Sequence, residues 1–243
     1  MVPWVKLGSA LVPDGTELSL WQRGKDLVIR CGVGELMSTR VHGSEELLAE
    51  HGCAELGPRP CVFIGGLGMA FTLRATIALL PRDGTVVVSE ICPAVVDWCR
   101  GPIGASDLLD DPRVTVDVSD ASVVLAESEG RFDSIMLDVD NGPRALTQEG
   151  NWRLYDRKGL GMIKRALKPS GRLAVWSAGD DHLFEGELLR AGFFPQTLRV
   201  RARGAKTRGP RHIVFLGLRR APLPAPEPEP RDRGPRRAGR ERR

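Results

Sequence analysis

Phe63-Ile64-Gly65-Gly66-Leu67-Gly68-Met69 decides how the rest of the 243-residue chain is read. The apolar run Cys61-Val62-Phe63-Ile64 has the length of a buried strand, and Gly65-Gly66 ends it in a sharp turn. A helix is predicted from about Met69 to Leu80, stopped by Pro81 and the Asp83-Gly84 turn. The alternation then repeats. Strands are predicted at Thr85 to Ser89, Val114 to Val118, Phe132 to Leu137 and Arg172 to Trp176. The intervening helices are Pro93 to Arg100 and an amphipathic Leu154 to Leu167, ended by Pro169-Ser170-Gly171. Helix 181–191 follows, with Asp180 read as its cap, and two last strands, Gln196 to Arg201 and His212 to Leu218, pair as a hairpin. Such a β-α alternation predicts a mostly parallel sheet covered on both faces, a Rossmann-like α/β methyltransferase fold of seven strands with a C-terminal antiparallel hairpin.

Upstream, Leu18 and Leu20, then Leu27 and Ile29, alternate with polar neighbours around the Arg23-Gly24-Lys25 turn, which predicts a small N-terminal β-unit. Ser44 is placed to cap a helix over Glu45 to His51. The expected organisation is a β-unit at 1–43, a methyltransferase-like domain at 44–218 and a tail at 219–243. The tail holds nine Arg against four acids, which makes the basic balance its own; the preceding 218 residues carry 26 basic and 27 acidic side chains. With six Pro and no aromatic or β-branched residue, it reads as a disordered solubilising extension, with at most non-specific contact with nucleic acid.

Composition excludes other classes. No apolar window approaches a membrane span and no signal-peptide layout opens the chain, so a cytoplasmic protein without membrane partners is expected. Five cysteines form no Cys-x-x-Cys pair, and His42, His51, His182 and His212 show no ligand spacing; no metal is expected. Those histidines read as surface or loop residues. Trp176 reads as packing that could also wall a pocket.

The chemistry-bearing residues cluster at strand ends. Gly65, Gly66 and Gly68 let a nucleotide-like ligand approach main-chain amides, or equally form a tight structural turn. A dinucleotide fingerprint would need glycine at 71, where Phe71 stands. Glu90 ends the second strand 22 residues beyond Gly68, where an acid can accept both hydroxyl hydrogens of a ribose. Asp120, followed by Ala121, could accept an adenine amino group or simply cap a helix. Asp138, Asp140 and Asn141 leave the fourth strand together before Gly142-Pro143, and such a group is costly unless it binds a cation or moves protons.

The run Glu45-Glu46, Val62 to Gly68, Val88-Ser89-Glu90, Asp111-Pro112-Arg113-Val114 and Gly130-Arg131-Phe132-Asp133 through Asp138 resembles the spermidine synthase family from about residue 17 to 218. The resemblance implies a decarboxylated S-adenosylmethionine donor, with S-adenosylmethionine as the alternative, Glu90 on the ribose and Asp120 near the adenine. It implies Asp138 and Asp140 as catalytic acids, and Glu46 and Asn141 on a small-molecule acceptor; a homodimer is compatible with it. Two motifs depart from the family: Asn141 stands where a second acid is expected, and Ser44-Glu45-Glu46 replaces Tyr-His-Glu. Aminopropyl transfer, methyl transfer to another acceptor, and a non-catalytic nucleotide-binding homologue are the readings carried forward. Six basic residues between Arg199 and Arg211, with no acid among them, predict an acceptor that is neutral or anionic beside its nucleophile rather than a free polyamine.

Overall fold

The computed structural model describes residues 2–32, 34–139, 152–201 and 211–219. Four strands, β1 (Val5–Leu11), β2 (Glu17–Arg23), β3 (Asp26–Cys31) and β4 (Gly34–Ser38), form an antiparallel sheet in sequential order. The outer strand β1 escapes the alternation rule because Val5, Leu7 and Leu11 are exposed, so no apolar face marks it in the sequence. Helix α1 (Gly43–Gly52) then leads into β5 (Cys61–Gly65), α2 (Phe71–Leu79), β6 (Thr85–Ser89), α3 (Pro93–Arg100), α4 (Ser106–Leu109), β7 (Val114–Asp117), α5 (Ala121–Ala126) and β8 (Phe132–Leu137). The chain continues through α6 (Trp152–Tyr155), α7 (Arg157–Ala166), β9 (Leu167–Ser177), α8 (Phe184–Arg190), β10 (Phe194–Arg201) and β11 (Arg211–Leu218).

The larger sheet runs β10-β11-β9-β8-β5-β6-β7, with β5 to β9 parallel and β11 antiparallel to both its neighbours. This is a Rossmann-like methyltransferase fold behind an N-terminal β-unit. Each central strand is buried on both faces, and the two-residue period divides its side chains between two cores. Val62, Ile64, Val86, Val88, Met136 and Ala174 pack with α1 to α4 and the small sheet. Phe63, Val87, Ile135, Leu137, Leu173 and Val175 pack with α5, α7 and α8.

Several local expectations are corrected. Ser44 is no cap: His42 occupies the N-cap, and Ser44 lies inside α1. The helix over 154–167 is two, because the Asp156 side chain caps a fresh start at Gly159 N (2.7 Å). Gly159 permits that corner, since a Cβ there would sit 2.1 Å from the Arg153 carbonyl. Pro169-Ser170-Gly171 does not precede the fifth parallel strand but lies within it, absorbed by a register shift against Phe132 and Ser134. Asp180 does not cap α8; it pairs with Arg199 (2.8 Å), while Asp181 accepts from Leu183 N (3.1 Å). Helix α4, too short for a periodicity signal, was not foreseen.

Among the described residues no helix is long and apolar enough to cross a membrane. The tail beyond Arg219, and Asp140 and Asn141, lie outside the described residues.

Candidate functional site

A cavity of about 470 Å³ lies between the small sheet and the carboxyl ends of the parallel strands. Its size suits a nucleoside-sized ligand. The glycine loop forms one wall. Gly66 has φ +90°, and a Cβ there would lie 2.4 Å from the Asp138 carbonyl oxygen; Gly68 has φ +52°, and its Cβ would meet Met37 of β4. Gly65 does not line the cavity. It is buried behind it, its carbonyl accepting from Asp138 N at 2.9 Å. The three glycines therefore let the β5–α2 turn press against both β8 and the small sheet, and two of them also border the ligand space.

Glu90 sits at the end of β6, 8% exposed, and both its oxygens are engaged. Oε2 accepts from Leu67 N and Oε1 from Cys92 N, each at 2.9 Å. Glu90, expected from the sequence as a ligand residue, is in the structure a clamp joining the glycine loop to the start of α3. A carboxylate has roughly four lone-pair sites, and the clamp uses two of them. Asp120 is the N-cap of α5, accepting from Ser122 N at 2.7 Å, and also borders the cavity beside Ala121. The capping role is thus seen directly, at a residue that stands on the cavity wall.

Two further acids, Asp138 and Glu45, line the cavity. Asp138 accepts from Thr72 Oγ1 at 2.6 Å. Burial pushes its carboxyl up to about 7, the nearby Glu45 charge adds to the rise, and the threonine hydroxyl opposes it. The Glu45 carboxyl is itself raised, chiefly by burial. Here the structure corrects the sequence reading of α1. Glu46 is half exposed, does not line the cavity and turns its Oε1 to His42 Nδ1 (2.9 Å), whereas Glu45 is 6% exposed and faces the cavity. A single helical step of about 100° separates the two glutamates, and the sequence alone does not say which faces inward.

Four participants went unrecognised in the sequence. Thr72 carried a weak signal as the second residue of the helix after the glycine loop. Ser44 is fully buried; its Oγ donates to Glu45 Oε2 (2.6 Å) and lies 2.8 Å from His212 Nδ1. His212 lines the cavity rather than the surface, and burial lowers its pKa. Nothing local announces it, because β10 and β11 must first return to the sheet beside β9. Ser38, at the end of β4, is buried against the cavity, and its hydroxyl has no hydrogen-bond partner among the described residues. Trp176 does wall the cavity, its ring edge-on to His212 at 4.7 Å, and its buried Nε1 also has no hydrogen-bond partner among the described residues.

The charge of the cavity is one-sided. Glu35, Glu45, Glu90, Asp120 and Asp138 line it, and among the described residues no Lys or Arg does. The basic stretch that suggested an anionic acceptor is divided. Arg199 is exposed and paired with Asp180, and residues 202–210 lie outside the described residues. Among the described residues no group of three or more His, Cys, Asp or Glu could hold a metal ion.

The fold is spermidine synthase-like. The spermidine synthase from Thermotoga maritima aligns with a TM-score of 0.70 at 17% identity, over 88% of this chain and 72% of that chain. A spermidine synthase solved in complex with the transition-state analogue AdoDATO gives 0.69 at 16%, over 88% and 72%. A probable spermidine synthase from Corynebacterium glutamicum gives 0.64 at 15%, over 89% and 81%. No protein-family model matches the chain, and no curated protein matches it in sequence.

Proposed function

We propose that the chain is a transferase that takes an adenosyl sulfonium donor, preferably decarboxylated S-adenosylmethionine, and moves its aminopropyl group to a small amine. The observation that carries this reading is that the glycine loop, Glu90 and the Glu45–Asp138 acid pair line one cavity, with no Lys or Arg among its described lining residues. The residues present fit such a donor. Gly66 leaves room that a side chain would fill, Glu90 is held ready for ribose hydroxyls, and Asp120 and Ala121 stand where an adenine edge would lie.

Charge decides between the donors. S-adenosylmethionine brings a carboxylate, which would lie among acids, and among the described lining residues no Lys or Arg would receive it; the decarboxylated donor ends in an ammonium, which the acids attract. The same argument favours an amine acceptor over the neutral or anionic one expected from the sequence. The sulfonium already makes the attacked carbon electrophilic, so the protein's task is alignment: Glu90 fixes the nucleoside, and Asp138, steadied by Thr72, holds the acceptor amine. A small-molecule acceptor and a cytoplasmic setting belong to the same reading. The raised Asp138 and Glu45 carboxyls in a cleft favour an active enzyme over a non-catalytic homologue.

Calorimetric titration of methylthioadenosine, a product nucleoside without the transferable group, tests the pocket. The unmodified chain is expected to bind it, and Glu90→Ala to bind about tenfold to hundredfold more weakly, the equivalent of losing hydrogen bonds to a charged acceptor. Because Glu90 also holds Leu67 N and Cys92 N, the variant is expected to unfold at a lower temperature, so the titration is run well below that midpoint. Equal affinity in both proteins would remove Glu90 from the donor site.

A further inference from the structure

We propose that His212 is the general base of this transfer, with Ser44 and Glu45 as positioning residues that set its tautomer and stabilise its charged form. The proposal rests on the transferase reading above and deepens it. Ser44 has one hydroxyl proton. With Glu45 ionised, donating that proton to Glu45 Oε2 at 2.6 Å leaves only lone pairs for His212 Nδ1 at 2.8 Å, so Nδ1 carries the ring hydrogen. The assignment follows from the network, as tautomers must. It leaves Nε2 with a free lone pair, and among the described residues Nε2 has no protein partner. Since the residue borders the cavity, that lone pair is available to a ligand.

The surroundings keep the ring neutral and fixed. Trp176 of β9 stands edge-on to it at 74°, and Val200 pairs with it across β10. The charged groups that face it are Glu45, through Ser44, and Asp138 beyond Glu45. Arg199 and Arg201 flank Val200 but alternate to the other face of β10, and Arg211 is exposed. Burial lowers the pKa of His212, so near neutral pH the ring is a base and not an acid.

The chemistry balances. The amine nitrogen forms a bond to the sulfonium-bound carbon as the carbon–sulfur bond breaks, and that electron pair leaves with sulfur as a neutral thioether. The new ammonium gives one proton to His212 Nε2. The resulting imidazolium donates through Nδ1–H to Ser44, which donates to the Glu45 carboxylate, so the charge is met without a further reactant. The attacking nitrogen is neutral; Asp138 cannot easily serve the same purpose while its charge holds an ammonium group other than that nitrogen, because taking the proton would discharge it.

The test uses the full chain labelled with 15N-histidine. Its four histidines make the ring signals assignable with a His212→Gln variant. The proposal expects the Nδ1–H tautomer at His212, and Ser44→Ala is expected to release it to the Nε2–H form. In parallel, methylthioadenosine release is followed from decarboxylated S-adenosylmethionine with a mixture of mono- and diamines. His212→Gln is expected to lower kcat by about 10² to 10⁴, leave the donor KM unchanged and abolish the acid limb of the pH profile. Added imidazole is expected to restore part of the rate in His212→Ala. An Nε2–H tautomer in the unmodified chain, or an unchanged kcat and acid limb in His212→Gln, overturns the base assignment and leaves the transferase reading intact. Failure of the unmodified chain to release methylthioadenosine with any amine overturns both, and the nucleoside titration on Glu90 then shows whether the pocket survives as a binding site.

Discussion

Asp138→Asn is expected to lower kcat by about 10² to 10⁴ while making the protein more stable above pH 7. The two effects have one cause. Folding carries the Asp138 carboxyl from an ordinary value of 3.8 to about 7, because burial and the Glu45 charge both disfavour its ionised form. Between those values the native chain holds a proton that the unfolded chain has released, so stability falls as pH rises through that window. Above it the native state carries an unwelcome charge in full. Asn keeps the shape and can still accept from Thr72 Oγ1, yet carries no charge to repel Glu45 or to hold an amine. Thermal melts of both proteins at pH 4 and pH 8 are expected to coincide at the lower pH and to favour the variant at the higher. Coincidence at both values would mean that Asp138 is not held under strain for a ligand.

Gly66→Ala is expected to be the most destabilising single methyl addition in the site, by at least about 3 kcal/mol. Two penalties add. The residue occupies φ +90°, which L side chains rarely adopt, and the new Cβ would meet the Asp138 carbonyl oxygen at 2.4 Å, a backbone atom that cannot swing aside. Its amide also donates to Ser89 O at 2.8 Å, so any shift disturbs β6 as well. Gly130→Ala is the comparison: its φ is +57° with nothing within 4 Å of the added methyl, so only the conformational penalty applies, about 1 to 2 kcal/mol. Chemical denaturation of the two variants measures the difference. Equal losses would show that the close approach of β5 and β8 can relax.

The parallel core was legible because buried strands such as Cys61–Gly65 and Phe132–Leu137 are short apolar runs bounded by glycine or charge, and their order follows from chain alternation. The phrases that carried the family resemblance turn out to hold the scaffold. Arg113 grips Asp111 through Nε and Nη2 at 3.0 and 2.9 Å, fixing the turn before β7 and holding the Asp111 carboxyl down at about 2. Asp133 accepts from Cys61 N and Lys168 Nζ at 2.8 and 2.7 Å, tying β8 to β5 and β9. Their distinctiveness in sequence reflects local geometry, which a short motif can encode.

The acid end of the site was less legible for the converse reason. Ser44, Glu45, Thr72 and His212 come from three separate elements, and only the return of β11 beside β9 brings residues 168 positions apart to 2.8 Å. The choice between Glu45 and Glu46 depends on the rotation of α1. That rotation is set by burial against the sheet, not by any feature of the pair itself. Asp138 was found because its own strand announces it.

In the proposed reaction this cavity accepts a carboxylate-free sulfonium donor and transfers its aminopropyl group to an amine. Incubating the full chain separately with decarboxylated S-adenosylmethionine and with S-adenosylmethionine, each with the same amine mixture, and quantifying the nucleoside products by mass spectrometry tests it most directly. The account predicts amine-dependent methylthioadenosine from the first donor and no S-adenosylhomocysteine from the second. S-adenosylhomocysteine from the second donor with no methylthioadenosine from the first would contradict it and make the chain a methyltransferase.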